Sequence, residues 1–134
     1  MGTVIDFPVH PRRHPRVAFE QAVALIHRNS TVVSVEGVNI SQSGMQVITD
    51  RYTVDSLLRY EVPLNAQNAP RVDAHFRLPV DTENLKVDAH CRLVYVFDME
   101  DGHHAMGLNF EYLAPASREN LLLFLNDWRM TSEL

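Results

Sequence analysis

Residues 71–80 read R-V-D-A-H-F-R-L-P-V, and residues 85–98 read L-K-V-D-A-H-C-R-L-V-Y-V-F-D. In the first stretch Val72, Ala74, Phe76, Leu78 and Val80 alternate with Arg71, Asp73, His75, Arg77 and Pro79. A repeat of two sends successive side chains to opposite faces of a strand, so one face meets a core and the other meets water. In the second stretch Cys91, Leu93, Tyr95 and Phe97 extend one face, while Val94 and Val96 make the other face partly apolar. Glu100-Asp101-Gly102 then turns the chain into residues 104–113, and the flanking segments read as a hairpin.

Outward from this hairpin, the sequence continues in short apolar stretches punctuated by turn residues. Residues 17–28 predict one strand, closed by Asn29-Ser30, and the β-branched run 31–38 predicts another. Residues 45–49 and 57–64 predict two more. The period changes near the end of the chain. Leu121, Phe124, Leu125 and Trp128 stand at i, i+3, i+4 and i+7, one face of a helix. A helix over 116–130 follows, with Ser117 as its N-cap and Pro115 just ahead of it. Short strands followed by one amphipathic helix predict an all-β, antiparallel barrel whose open end or side the helix covers. Residues 1–16 carry Pro8, Pro11 and Pro15 and no periodic apolar pattern, so they read as a flexible arm preceding a barrel domain at 17–134.

Composition bounds the function. The chain has 134 residues with 46% hydrophobic positions, enough for one buried core without disulfides or a structural metal. Twelve basic residues against 17 acidic ones give a net charge of −5, which opposes binding to nucleic acid polymers and to anionic membrane surfaces. No apolar run approaches the ~20 residues of a membrane helix, and no signal peptide is visible. The single cysteine, Cys91, suits a reducing compartment, so a cytoplasmic location is expected. Of the basic residues only Lys86 is a lysine; the rest are arginine, a skew that codon bias explains. Codon bias does not explain why Arg12, Arg13 and Arg16 fall so close together.

Two elements carry candidate chemistry. The arm reads P-R-R-H-P-R over residues 11–16. Guanidinium forks match phosphate oxygens and also the O6/N7 edge of guanine, so an arm bearing Arg12, Arg13 and Arg16 can fold onto an anionic ligand. Standing alone, the same residues would be a solvated basic tail. The second element is N-I-S-Q-S-G at 39–44, of the form [DN]-x-S-x-x-G. As structure alone it is a polar turn with Gly44 at positive φ. As a site, Asn39 offers an amide to a base edge, Ser41 a hydroxyl to a phosphate or base, and Gly44 a close backbone approach.

Taken together, the two elements resemble the signatures of the PilZ domain family, bacterial receptors for cyclic di-GMP. Arg12 with Arg16 fits R-x-x-x-R, and Asn39, Ser41 and Gly44 fit [DN]-x-S-x-x-G. The stretches F-R-L-P, R-L-V-Y-V-F-D and G-L-N-F and the terminal helix follow the family's layout, so the resemblance runs over residues 11–130. It implies a six-stranded antiparallel β-barrel with a C-terminal helix, and a cyclic dinucleotide on the barrel surface, commonly as an intercalated dimer wrapped by the arm. By position, Arg12 and Arg16 would hold phosphates and guanine edges, with Arg13 as a further contact. Asn39 and Ser41 would meet a guanine and its neighbouring phosphate, Gly44 would shape the turn, and Gly107 would let the ligand sit close. Asn39 stands where aspartate is more frequent; its amide oxygen still accepts from guanine, without charge assistance. A one-domain receptor would pass its signal to another protein, or through self-association as a homodimer, by ordering the arm.

Other functions fit less well. Seven histidines invite a metal, yet His103 and His104 are adjacent on a strand and point apart, and no C-x-x-C or H-x-x-x-H spacing occurs. No metal site and no cofactor is therefore expected. Cys91 lies in an alternating strand and reads as core, and no G-x-S-x-G or phosphate-loop pattern appears, so no enzymatic role is expected. The competing reading is a protein–protein adaptor of the same fold that binds no nucleotide; the presence of both signatures separates the two.

Overall fold

Val23, Leu25, Ala74, Leu78 and Val87 are wholly withdrawn from solvent, as the period-two pattern requires. The computed structural model describes residues 5–6, 16–27, 31–58 and 69–132. Within them the chain forms β1 (Ile5–Asp6), β2 (Val17–Ala18), β3 (Ala22–His27), β4 (Thr31–Ile40), β5 (Gly44–Thr49) and α1 (Arg51–Leu58). There follow β6 (Arg71–Val80), β7 (Glu83–Asp98), β8 (His104–Leu113) and α2 (Pro115–Ser132). Every pairing is antiparallel. β3 joins β4, β4 joins β5, β5 joins β8, β8 joins β7, β7 joins β6, and β6 returns to β3. The ring of six strands is thus a closed barrel, which removes the exposed sheet edges on which chains aggregate. β1 continues the β6 side of β7, at Tyr95 and Val96, and β2 continues the β3 side of β4, at Asn39 and Ile40.

Three expectations about the strands are corrected. The stretch 17–28 is not one strand. It breaks between β2 and β3, where the Phe19 N–H donates to the Val38 carbonyl and the Gly37 N–H to that of Gln21. The break swings the Phe19 ring into the core, its centroid 5.3 Å from that of Phe76. Second, Leu57 and Leu58 close helix α1 rather than open a strand, and residues 59–64 lie outside the described residues. The helix starts because Asp50 caps it: its Oδ1 accepts the Thr53 N–H at 2.8 Å. Val54 and Leu57, three apart, then enter the core together. Third, the β7 alternation does not run unbroken. A register shift between Leu93 and Tyr95 keeps Leu93 and Val96 inside and leaves Phe97 exposed on the other face.

The terminal helix forms as expected, with Pro115 in its first position, where a missing N–H is harmless. Leu121 and Phe124 are buried and Leu125 packs against the core; the Trp128 side chain lies outside the described residues. Ser117 is not the N-cap. Its Oγ accepts the Asp88 N–H at 3.0 Å, and Asn120 Nδ2 donates to the Lys86 carbonyl at 2.8 Å. β8 pairs β7 only from Ala89 onward, so the helix satisfies the β7 backbone that β8 does not reach. Among the described residues no helix is long and apolar enough to cross a membrane.

Two positions test this architecture. Asp81, in the two-residue link between β6 and β7, has φ 55°, in the left-handed region. Asp81→Val should cost about 1–2 kcal/mol in urea unfolding, whereas Asp81→Asn should be near neutral, because asparagine tolerates that backbone and a β-branched residue does not. At α1, the Thr53 N–H holds the Asp50 carboxyl below the usual carboxylate range. The cap therefore stabilises the fold above the unfolded-state value of about 3.9 and fades as pH falls through the lower folded value. Asp50→Asn should keep most of the neutral-pH melting temperature and flatten that acid limb, whereas Asp50→Ala should lower the melting temperature at neutral pH.

Candidate ligand-binding site

Antiparallel register assembles a row of side chains on the outer wall from segments distant in sequence. Asn39 on β4 faces Gln46 on β5, Gln46 faces Gly107 on β8, and Gly107 faces Tyr95 on β7. Their neighbours Ile40, Met45, Val47, Met106 and Leu108 point inward and are buried, which fixes the row as external. Arg16, just ahead of β2, joins it from the β4 side. Its Nη1 donates to Asn39 Oδ1 at 2.9 Å, and Asn39 Nδ2 donates on to Gln46 Oε1 at 2.8 Å. The arginine of one signature thus touches the asparagine of the other. Arg16 Nε is buried with no hydrogen-bond partner, so the guanidinium holds donor capacity in reserve.

The N-I-S-Q-S-G turn is built by its own polar groups. The Ser41 N–H donates to the Gly44 carbonyl at 2.8 Å, and Ser41 Oγ accepts the Ser43 N–H at 3.2 Å. Ser41 is buried, with its Oγ 3.2 Å from that of Ser43. Ser41 therefore organises the turn, and the exposed hydroxyl is that of Ser43. Positive φ is not the reason for glycine at 44, since Gly102 is the glycine that adopts it among the described residues. The reason is contact: a Cβ on Gly44 would stand 2.2 Å from the Leu108 carbonyl oxygen. Gly107 is likewise occupied from outside, because a Cβ there would meet the Tyr95 ring at 2.0 Å. The space above Gly107 is filled by an aromatic plate rather than left open.

Arg12 and Arg13 lie outside the described residues. The structure brings together Arg16, Asn39, Gly44 and Gly107, and places Ser41 beneath the surface of the same wall. Gln46, Ser43 and Tyr95 complete the wall and were not read from the sequence. The alternation of β5 could have pointed to Gln46; Tyr95 was hidden by the bulge.

Electrostatics favour this wall for an anion over a concavity elsewhere on the barrel. That concavity, 820 Å³, is lined by Glu20, Glu36, Asp50 and Asp101. Hydrogen bonds from Thr53 and from His103 hold the carboxyls of Asp50 and Asp101 below their usual range, so both are charged at neutral pH and repel a phosphodiester. Cys91 is buried and its thiol is pushed up to about 12 by burial and by the carboxylates of Asp73 and Glu111, which leaves it inert as a nucleophile. Among the described residues no group of three or more His, Cys, Asp and Glu side chains is placed to hold a metal ion.

Comparison with known proteins follows the same lines. The PilZ domain family matches residues 10–127. No curated protein matches the sequence. Among solved structures the chain is similar to the Bacillus subtilis inhibitor of motility MotI/DgrA, with TM-score 0.67 and 15% identity over 93% of this chain and 53% of that one. It is similar to K. pneumonia MrkH in complex with c-di-GMP, with TM-score 0.62 and 14% identity over 93% of this chain and 55% of that one. The PilZ domain of Escherichia coli YcgR with c-di-GMP gives TM-score 0.58 and 12% identity, covering 92% of this chain and 96% of that one. The chain spans about half the length of the first two. At these identities the likeness is one of fold.

The two contacts at glycine predict unequal costs. Gly44→Ala sets a methyl against backbone that cannot yield and should cost about 1–3 kcal/mol in urea unfolding. Gly107→Ala meets only a side chain that can swing aside and should cost less. Equal midpoints for wild type and Gly44→Ala would show that β5 and β8 do not need this approach.

Proposed function

The chain belongs to the PilZ domain family, and from that premise we propose that it is a receptor for cyclic di-GMP, held on the outer wall between the arginine arm and the row Asn39–Gln46–Gly107–Tyr95. The observation that carries the proposal is the 2.9 Å hydrogen bond from Arg16 to Asn39, which joins the two signatures on one surface. The similar structures described with c-di-GMP support the same ligand class.

Each group has a task in this reading. The Tyr95 ring, laid flat over Gly107, offers a stacking surface to a guanine. Asn39 Oδ1 exchanges the Arg16 donor for guanine N1–H or N2–H, and the released guanidinium takes a phosphate or the guanine O6/N7 edge. Gln46 holds the Asn39 amide in orientation. Arg12 and Arg13 add cationic contacts from the arm, and Ser41 and Gly44 fix the turn that presents Ser43. Binding involves no bond-making step, so the protein acts as a receptor and not as an enzyme. Residues 1–16 serve as the arm, joined to the barrel at Ile5–Asp6 by the pairing of β1 with β7, and residues 17–134 as the barrel. Closure of the arm over the ligand presents a new surface to a partner protein in the cytoplasm, and the inert, buried thiol of Cys91 is compatible with that compartment.

Cyclic di-GMP should raise the melting temperature, by an amount equivalent to about 2.7 kcal/mol at a hundredfold excess over Kd, whereas GMP should not. Absence of any shift would reject the receptor and leave the adaptor. Arg12→Ala and Arg16→Ala should each weaken binding by about 1.5–3 kcal/mol in calorimetry, the range for charged hydrogen bonds, with the barrel still folded. Amide exchange over residues 10–18 should slow on adding ligand; unchanged exchange there would remove the arm from the signalling step.

A further inference from the structure

We propose that Arg92 is a further anchor for the ligand, meeting a phosphate of the cyclic dinucleotide from the barrel wall; the inference rests on the receptor reading above. Arg92 on β7 faces Asn109 on β8, and Asn109 faces Gly44 on β5. The three lie on the outer wall in the next row along from Tyr95, Gly107 and Gln46, about 7 Å away, since two residues of strand separate Gly107 from Asn109. The Phe110 N–H donates to the Ser43 carbonyl at 2.9 Å, so the N-I-S-Q-S-G turn stands on one side of Asn109 and Arg92 on the other.

In the free protein this arginine is poorly placed. Its cross-strand neighbour on β6 is Arg71, and like charges directly opposite destabilise a sheet. Arg71 is neutralised by Glu111 at 2.9 Å. Arg92 has no carboxylate partner among the described residues, and its Nε is buried without a hydrogen-bond partner. A half-buried guanidinium left so costs free energy that a chain with 17 acidic residues could easily have offset. Arg16 is in the same condition at Nε, on the same wall, at the β4 side where Arg92 is at the β7 side. Three strand spacings, about 14 Å, separate β7 from β4, where Asn39 holds the Arg16 guanidinium. Two extended arginine side chains can close that span from both ends. A cyclic dinucleotide carries two phosphodiesters in one ring, and the pair Arg16 and Arg92 supplies one cation for each.

The test compares wild type, Arg92→Ala and Arg92→Lys by melting temperature without ligand and by calorimetric titration with cyclic di-GMP at low and high salt. Arg92→Ala should melt at or above the wild-type temperature, because it removes the like charge that stands opposite Arg71. It should bind about tenfold more weakly, with a smaller loss of affinity between low and high salt. Arg92→Lys should recover most of the binding, since a phosphate accepts a point charge whereas a guanine edge needs the planar fork. Wild-type affinity in Arg92→Ala overturns the inference. So does a lowered melting temperature in Arg92→Ala, which would make the residue structural, or binding by Arg92→Lys as weak as by Arg92→Ala, which would place the contact on a base. Failure of wild type itself to bind overturns the receptor reading and this inference with it, and the wild-type titration alone separates that outcome from the others.

Discussion

The pairing of β7 with β8 closes the barrel, and its irregularity between Leu93 and Tyr95 sets what the outer wall displays. Strict alternation from Cys91 would carry Tyr95 and Phe97 into the core beside Leu93. One extra residue in β7 absorbs the step: Leu93 and Val96 stay in the core, Val94 is buried at the bulge, and Tyr95 lies over Gly107. Without that step a phenol would enter an apolar interior, and the wall would lose the aromatic surface that lies over Gly107. A bulge beside a candidate site re-aims a side chain by leaving Val94 without a β8 partner, and β7 can tolerate this because β6 and β1 hold its other edge.

Two contacts tighten the same region. Gly44 lets the end of β5 press against the Leu108 carbonyl, and Gly107 lets the Tyr95 ring lie flush on β8. The first is backbone against backbone and is therefore rigid; the second is backbone against a ring that can move. The wall thus has a fixed side at the N-I-S-Q-S-G turn and an adaptable side at Tyr95, and the Arg16–Asn39–Gln46 chain of hydrogen bonds runs across β4 and β5.

What the sequence discloses follows from how local each constraint is. Strands β6, β7 and β8 and the helix α2 are legible because a repeat of two, or of three and four, is carried by neighbouring residues. The stretch 57–64 misleads because its apolar residues suit either structure, and the deciding signal is Asp50, seven residues earlier, capping α1 through Thr53. Arg16 and Asn39 are legible as motif residues, though their direct contact is not. Gln46, Tyr95 and Arg92 belong to the wall only through register between strands far apart in the chain, and register is a property of the closed barrel. Gly44 and Gly107 are legible as glycines that matter, but each makes room for the protein's own atoms.

Charge on the wall is sorted by level along the strands, and that sorting explains how an acidic chain can face an anion. On β6 and β7, Asp88 pairs with His75 at 2.6 Å, and His90 pairs with Asp73 while stacking on Tyr112. One step nearer the N-I-S-Q-S-G turn, Glu111 neutralises Arg71 and stops there. Beyond it stand Arg92 and Arg16, with Asn109, Asn39 and Gln46 between them. The carboxylates of Glu20, Glu36, Asp50 and Asp101 gather at the 820 Å³ concavity. Coulomb energy falls with distance and is screened beyond about 8–10 Å, so a dianion at the wall responds to Arg16 and Arg92, which have no carboxylate partner among the described residues, far more than to carboxylates elsewhere. A net charge of −5 therefore opposes a long polyanion, which would have to cross the acidic surface as well, far more than a ligand small enough to sit wholly within the cationic end of one wall.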